Sequence, residues 1–193
     1  VHEKEVMAIA NNPANPTFKN TVLALEISGV DLKRATGVFY NLTGSNTNPV
    51  LQALQAEYAP IFSAHSDETY LNSKLYKRFK AIDLTTLKGE DKKLTTYYLQ
   101  EFELAGANLS EGDKDKMKKI NEELASLGTL FGNKLLTARK NGAIIFDNAA
   151  DLDGLSANDL AAAKAKATEA GHAGHYLIGL QNTTQQPLLQ SLT

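Results

Sequence analysis

The chain has 193 residues and a mass of 20.9 kDa, is 42% hydrophobic, and carries 20 basic against 22 acidic side chains for a net charge of −2. That length and balance predict a globular fold of one domain, or one and a fraction, and argue against wholesale disorder and against a general nucleic-acid binder. Cysteine is absent, which excludes disulfides, thiolate zinc sites, a cysteine nucleophile and iron–sulfur ligation.

In chain order the apolar period is helical almost throughout. Val1–Asn11 reads as a short helix closed by Asn11, Asn12 and Pro13. Pro16 and Thr17 open a longer pattern, with Phe18, Val22, Leu25, Gly29, Leu32, Thr36 and Phe39 at alternating spacings of four and three. That is one continuous helical stripe, with Gly29 inside it as a point of close helix crossing. The polar stretch Thr43–Asn48 ends it. Asn48-Pro49 reads as N-cap and first turn of the next helix, whose stripe is Leu51, Leu54, Tyr58, Ile61, Phe62 and His65, with a kink expected at Pro60. Asn72 caps a helix carrying Leu75, Phe79 and Ile82. Gly89 precedes another over Glu90–Gly106, with Leu94, Tyr98, Phe102 and Ala105 on one face.

Ser110-x-x-Asp113 is a capping box before the strongest helical pattern, Met117, Ile120, Leu124, Leu127, Phe131 and Leu135. Its acidic first turn and its Lys134, Arg139 and Lys140 suit the helix dipole, and Asn141-Gly142 stops it. A strand over Ala143–Phe146, a helix opened by Ser156-x-x-Asp159 and running to Ala170, and a strand over Tyr176–Leu180 follow. Gln185–Thr193 starts an amphipathic helix with Leu188, Leu189 and Leu192 on one side. Its lack of a C-cap, with Val rather than Met as first residue, leads us to expect a chain cut from a longer one. The expected fold is mainly α, with a helical region over residues 1–142 and a strand–helix–strand unit with a truncated helix over 143–193.

Candidate sites are few. His2-Glu3 begins a zinc-peptidase helix signature, but Val6 stands where the second His belongs, so His2 reads as an exposed terminal histidine. His65 lies on an apolar stripe and reads as a packed or interface histidine. His172 and His175 have no carboxylate cluster beside them and read as a loop before a strand. In Asp147–Gly154, Asp151, Asp153 and Gly154 match calcium-loop positions, but Ala149 and Leu160 lack ligand oxygens, so the segment reads as a turn. The basic stretch Lys74–Lys93 (Lys74, Lys77, Arg78, Lys80, Lys88, Lys92 and Lys93) reads as a solvated helix surface. Asp83, Glu90 and Asp91 dilute it, and Tyr76 and Phe79 belong to the core face. The sequons at Asn41, Asn108 and Asn182 read as helix ends and turns. No signal-peptide pattern opens the chain. Composition and spacing therefore end at a helical domain with no catalytic or metal residue of its own.

Several segments, in order, resemble the zinc metallopeptidases that include thimet oligopeptidase, neurolysin, oligopeptidase A and bacterial peptidyl-dipeptidase. They are Asn15-Pro-Thr-Phe-Lys-Asn-Thr-Val22, Val38-Phe-Tyr-Asn-Leu42, Glu57-Tyr-Ala-Pro60, Ala64-His-Ser-Asp67, Tyr70-Leu-Asn72, Ala105-Gly-Ala-Asn-Leu109 and Ile120-Asn-Glu-Glu-Leu124. The segment from Leu180 to Pro187 is most similar to the peptidyl-dipeptidase branch. The resemblance implies a longer, mostly helical enzyme in two halves across a deep channel, removing C-terminal dipeptides from short peptides. Zinc held by two His and a Glu, with the motif Glu as general base, would activate water. All of those residues are expected beyond this sequence, so none is carried onto it. The chain is then an inactive N-terminal part that binds no zinc, forms a wall and lid of the channel, and partners the catalytic half. A cytoplasmic location is expected, or a periplasmic one if a leader precedes Val1. An oligopeptidase A-like endopeptidase fragment and a non-enzymatic helical interaction module are the alternatives.

Overall fold

The computed structural model describes residues 1–191, apart from the side chains of residues 182–185. Its elements are α1 (His2–Ala10), a π-helical stretch Phe18–Leu23 running into α2 (Ala24–Glu26), α3 (Val30–Ser45), α4 (Pro49–Tyr70), α5 (Ser73–Lys80) and α6 (Gly89–Ala105). They are followed by α7 (Glu111–Asn141), β1 (Ile144–Phe146), a 3₁₀ turn Ala149–Leu152, α8 (Ala157–Glu169), β2 (Tyr176–Ile178) and α9 (Asn182–Leu189). The mainly α class holds. The chain divides into two compact units, Val1–Leu130 and Phe131–Thr193, with the division inside α7.

Local chemistry sets the helix starts. Asn48 Oδ1 accepts from the Leu51 amide, and Pro49 follows at N1. Asn72 Oδ1 accepts from the amides of Lys74 and Leu75. Ser110 and Ser156 accept from the amides of Asp113 and Asp159 and donate their hydroxyls to the carboxylates of the same residues, so the expected boxes close through the hydroxyl rather than the serine amide. Helix α4 runs uninterrupted through Pro60.

In the first unit α1, the segment from Phe18 to Glu26, α5 and α6 bury Val6, Ile9, Val22, Leu25, Leu75, Phe79, Tyr98 and Phe102. The Phe79 and Phe102 rings sit 5.0 Å apart at a tilted angle, and Tyr70, Tyr76 and Tyr98 surround them. Burying each large side chain contributes roughly 1.5–3 kcal/mol, so these aromatics anchor the unit.

The second unit is small. Strands β1 and β2 pair antiparallel, Ile144 opposite Ile178 and Phe146 opposite Tyr176. Leu152, Ala163 and Ile178 form its centre, with Leu188 of α9 against them.

Two helix boundaries need correction. The stripe from Phe18 to Phe39 is not one helix. It breaks at Gly29, which adopts a left-handed conformation (φ 67°) and starts α3. The final helix spans Asn182–Leu189 rather than starting at Gln185; Leu188 packs, Leu189 is exposed, and Leu192 lies outside the described residues. The α7 stripe faces solvent: Ile120, Leu124, Leu127, Phe131 and Leu135 are all exposed.

Candidate functional site

The break at Gly29 builds a polar cluster in the first unit. Its amide donates to Glu5 Oε2 at 2.7 Å, and the turn sits against the His2 ring. A Cβ at Gly29 would lie 2.8 Å from His2 Cδ2, so only glycine permits this approach.

Beside it three side chains form a directed relay. Ser28 Oγ lies 2.6 Å from the Leu25 carbonyl oxygen and must donate its proton there. It then accepts from His2 Nε2–H at 3.0 Å. That leaves a lone pair on His2 Nδ1, which accepts from His65 Nε2–H at 2.8 Å. Burial, then the facing His65, holds the His2 imidazole below its ordinary pKa. Lys33 and the amino terminus act in the same direction, and Glu5 opposes them. His2 is therefore not a free terminal histidine; its partners lie 26 and 63 residues away, beyond the reach of a local pattern. His65 packs as expected.

The pair stands between two cavities. One, of about 700 Å³, is lined by Glu3, Ile61, Phe62 and Glu68. The other, of about 320 Å³, is lined by Thr36, Tyr40, Tyr70 and Tyr98. The cluster can hold and pass a proton. It does not activate a nucleophile, because the Ser28 proton points to a carbonyl rather than to an imidazole.

Other buried polar groups are structural. Arg78 is buried, not solvated as its basic neighbourhood suggests. Its guanidinium donates to the carbonyls of Asn12 and Ala14 and to Asn20 Oδ1 and Thr21 Oγ1. Asn20 is the centre of that knot. It closes a capping box with Thr17 and donates to the Asn15 carbonyl. Asp67 accepts from Asn121 Nδ2 at 2.7 Å, and burial pushes its carboxyl up. Lys114, almost wholly buried, donates to Ser73 and Glu111. Tyr98 donates to Glu26 Oε2 at 2.5 Å, and burial raises its phenol.

In the second unit His175 Nε2 lies 3.3 Å from Asp147 Oδ1, while His172 is exposed in the turn before β2. Asp151 and Asp153 belong to the 3₁₀ turn and its end. At the sequons, Thr43 bonds the Tyr40 carbonyl and Ser110 caps α7; the Asn182 side chain is not described. Among the described residues no group of three or more His, Cys, Asp or Glu side chains gathers as a metal site, and no helix is long and apolar enough to cross a membrane.

No protein-family profile matches the chain. It is 40% identical over 192 residues to the dipeptidyl carboxypeptidase of Escherichia coli (strain K12) and 42% identical to that of Salmonella typhimurium, in each case over 97% of this chain. It is 28% identical over 153 residues, 77% of its length, to oligopeptidase A of Escherichia coli. The chain spans 28% of the length of the two dipeptidyl carboxypeptidases and 22% of that oligopeptidase A.

Proposed function

We propose, on the premise that this chain belongs with the dipeptidyl carboxypeptidases and oligopeptidases A, that it is the N-terminal helical part of a zinc peptidyl-dipeptidase. Such an enzyme removes C-terminal dipeptides from short peptides. The observation that carries this reading is the identity of 40–42% along 97% of the chain, against 28% along 77% for oligopeptidase A of Escherichia coli. The difference favours the dipeptidase branch over the endopeptidase one.

In this reading the chain forms a wall and lid of the substrate channel, and zinc is held by the remaining polypeptide. Among the described residues the donor set does not fit that role, since no third ligand gathers on the His2–His65 pair. No catalytic step is assigned to residues of this chain. Its contribution is to shape access and to pack on the catalytic half, in a protein we place in the cytoplasm. Apolar side chains left exposed on α3, α4 and α7, such as Val38, Val50, Ile61 and Leu124, support a surface made for further contact.

The test is to extend the reading frame past Thr193 and assay both products on a short peptide. A longer product with a His-Glu-x-x-His helix should release C-terminal dipeptides and stop when chelated, while the 193-residue chain should release none. Chelator-sensitive cleavage by the 193-residue chain, or a frame that ends at Thr193, overturns the proposal. Internal cleavage by the longer product would favour the oligopeptidase A reading.

A further inference from the structure

Helix α7 is packed against the grain of its composition. Between Glu111 and Leu130 its shielded positions are Lys114, Met117, Asn121 bonded to Asp67, Ala125 and Thr129, so all but one are polar or small. Its large apolar side chains face solvent, with Ile120 51%, Leu124 60%, Leu127 51% and Phe131 68% exposed. These positions are spaced four, three and four residues apart. That alternation is the seam of a helix pair packed at a shallow angle, where knobs on one helix enter holes on the other.

A second observation on the same helix points the same way. Gly128 and Gly132 lie four residues apart beside the seam, in the interior of a 31-residue helix. Each is unfavourable there relative to alanine. Yet a Cβ at either position would meet nothing within 4 Å. Packing within this chain therefore does not require them. Two small residues one turn apart let a second helix backbone approach closely.

We infer that the Ile120–Leu124–Leu127 face of α7, with its Gly128–Gly132 flank, is the seat of a helix from the part of the polypeptide that lies outside this chain. The inference rests on the proposed function. The occupant follows from length: the dipeptidyl carboxypeptidases that match 97% of this chain have 72% of their own length outside the match. The seam asks for an amphipathic helix with apolar side chains at the same alternating spacing. It also asks for a small-residue or flat stretch opposite Gly128.

The absence of cysteine makes the test direct. Leu124→Cys and, on the outer face, Glu122→Cys are made in the 193-residue chain and in the longer gene product. Thiol labelling is then followed peptide by peptide. In the short chain both sites should label at similar rates. In the longer product labelling at position 124 should slow by about 100-fold or more while position 122 changes little, as expected when reaction must wait for local opening. Gly128→Ala supplies a second readout: it should raise the melting temperature of the short chain and lower that of the longer product.

Free labelling at position 124 in a longer product that does release dipeptides overturns the seam and leaves the proposed function standing. A frame that ends at Thr193 removes the proposed function and this occupant with it. Concentration-dependent protection at position 124 in the short chain, with dimers in sedimentation, assigns the seam to a second copy and overturns the inference.

Discussion

His2 Nδ1 and His65 Nε2 face each other at 2.8 Å, with the other nitrogen of His2 committed to Ser28. The facing atoms have room for one proton between them, and a second can enter only by parting the rings. Groups around the pair come from every neighbouring element: Glu5 and the amino terminus on the α1 side, Asp31 and Lys33 on α3, and Glu68 on α4.

The sign of the resulting pH dependence follows from the lowered His2 pKa. Unfolded histidine titrates near 6.5, and the folded protein takes up that proton at lower pH than the unfolded chain. The unfolded state therefore binds more protons between the two values. The contribution to stability is complete above about pH 6.5 and is lost as pH falls through the folded value. Urea midpoints measured from about pH 8 to about pH 5 should decline over that window, and His2→Gln should flatten the decline. An unchanged slope in that variant would place the acid sensitivity elsewhere.

Gly29→Ala should cost about 2 kcal/mol. Roughly 1 kcal/mol comes from the left-handed backbone, and the rest from the methyl driven into the His2 ring. The steric part is separable, because His2→Ala empties the space. In a double-mutant cycle the glycine substitution should cost less in that background. Equal costs in both backgrounds would refute the contact.

Arg78→Met should lower the unfolding free energy by about 2 kcal/mol, since it removes the donor that now serves the part-buried carbonyls of Asn12 and Ala14 and the buried Thr21 hydroxyl. Lys77→Met, one residue away and exposed, should stay within about 0.5 kcal/mol of the parent. Chemical denaturation of the two variants side by side checks this.

Phe102→Ala removes a fully buried ring at the centre of the aromatic cluster and should cost about 3–5 kcal/mol. Leu124→Ser, on the open face of α7, should be nearly neutral in this chain, within about 0.5 kcal/mol. Urea denaturation of both variants checks the pair. A large loss at Leu124 would mean that its face is covered within the chain after all.

These contrasts mark what the sequence could and could not convey. The caps at Asn48, Asn72, Ser110 and Ser156 were legible because each acts on amides two or three residues away. Gly29 was misread because α2 and α3 keep the apolar spacing in phase across the turn. Periodicity alone does not separate a helix that continues from one that restarts. His2 was misread because its partners are far along the chain. The α7 stripe was legible as apolar, but spacing does not say what covers it. The Asn15–Val22 segment carries the family resemblance. Its polar members Asn20 and Thr21 now have a structural role, as ligands of a buried guanidinium.

That guanidinium also orders events in time. The segment from Asn12 to Thr21 has no helix or strand ladder over most of its length, and its Arg78 contacts close loops of 57 to 66 residues. Such loops form late relative to helical turns, because closure entropy comes before the contact. A nascent chain that has not yet extended through α5 should therefore leave the Asn15–Val22 segment unset, however well α1 has formed. Amide protection in that segment would then serve as a clock for the docking of α5.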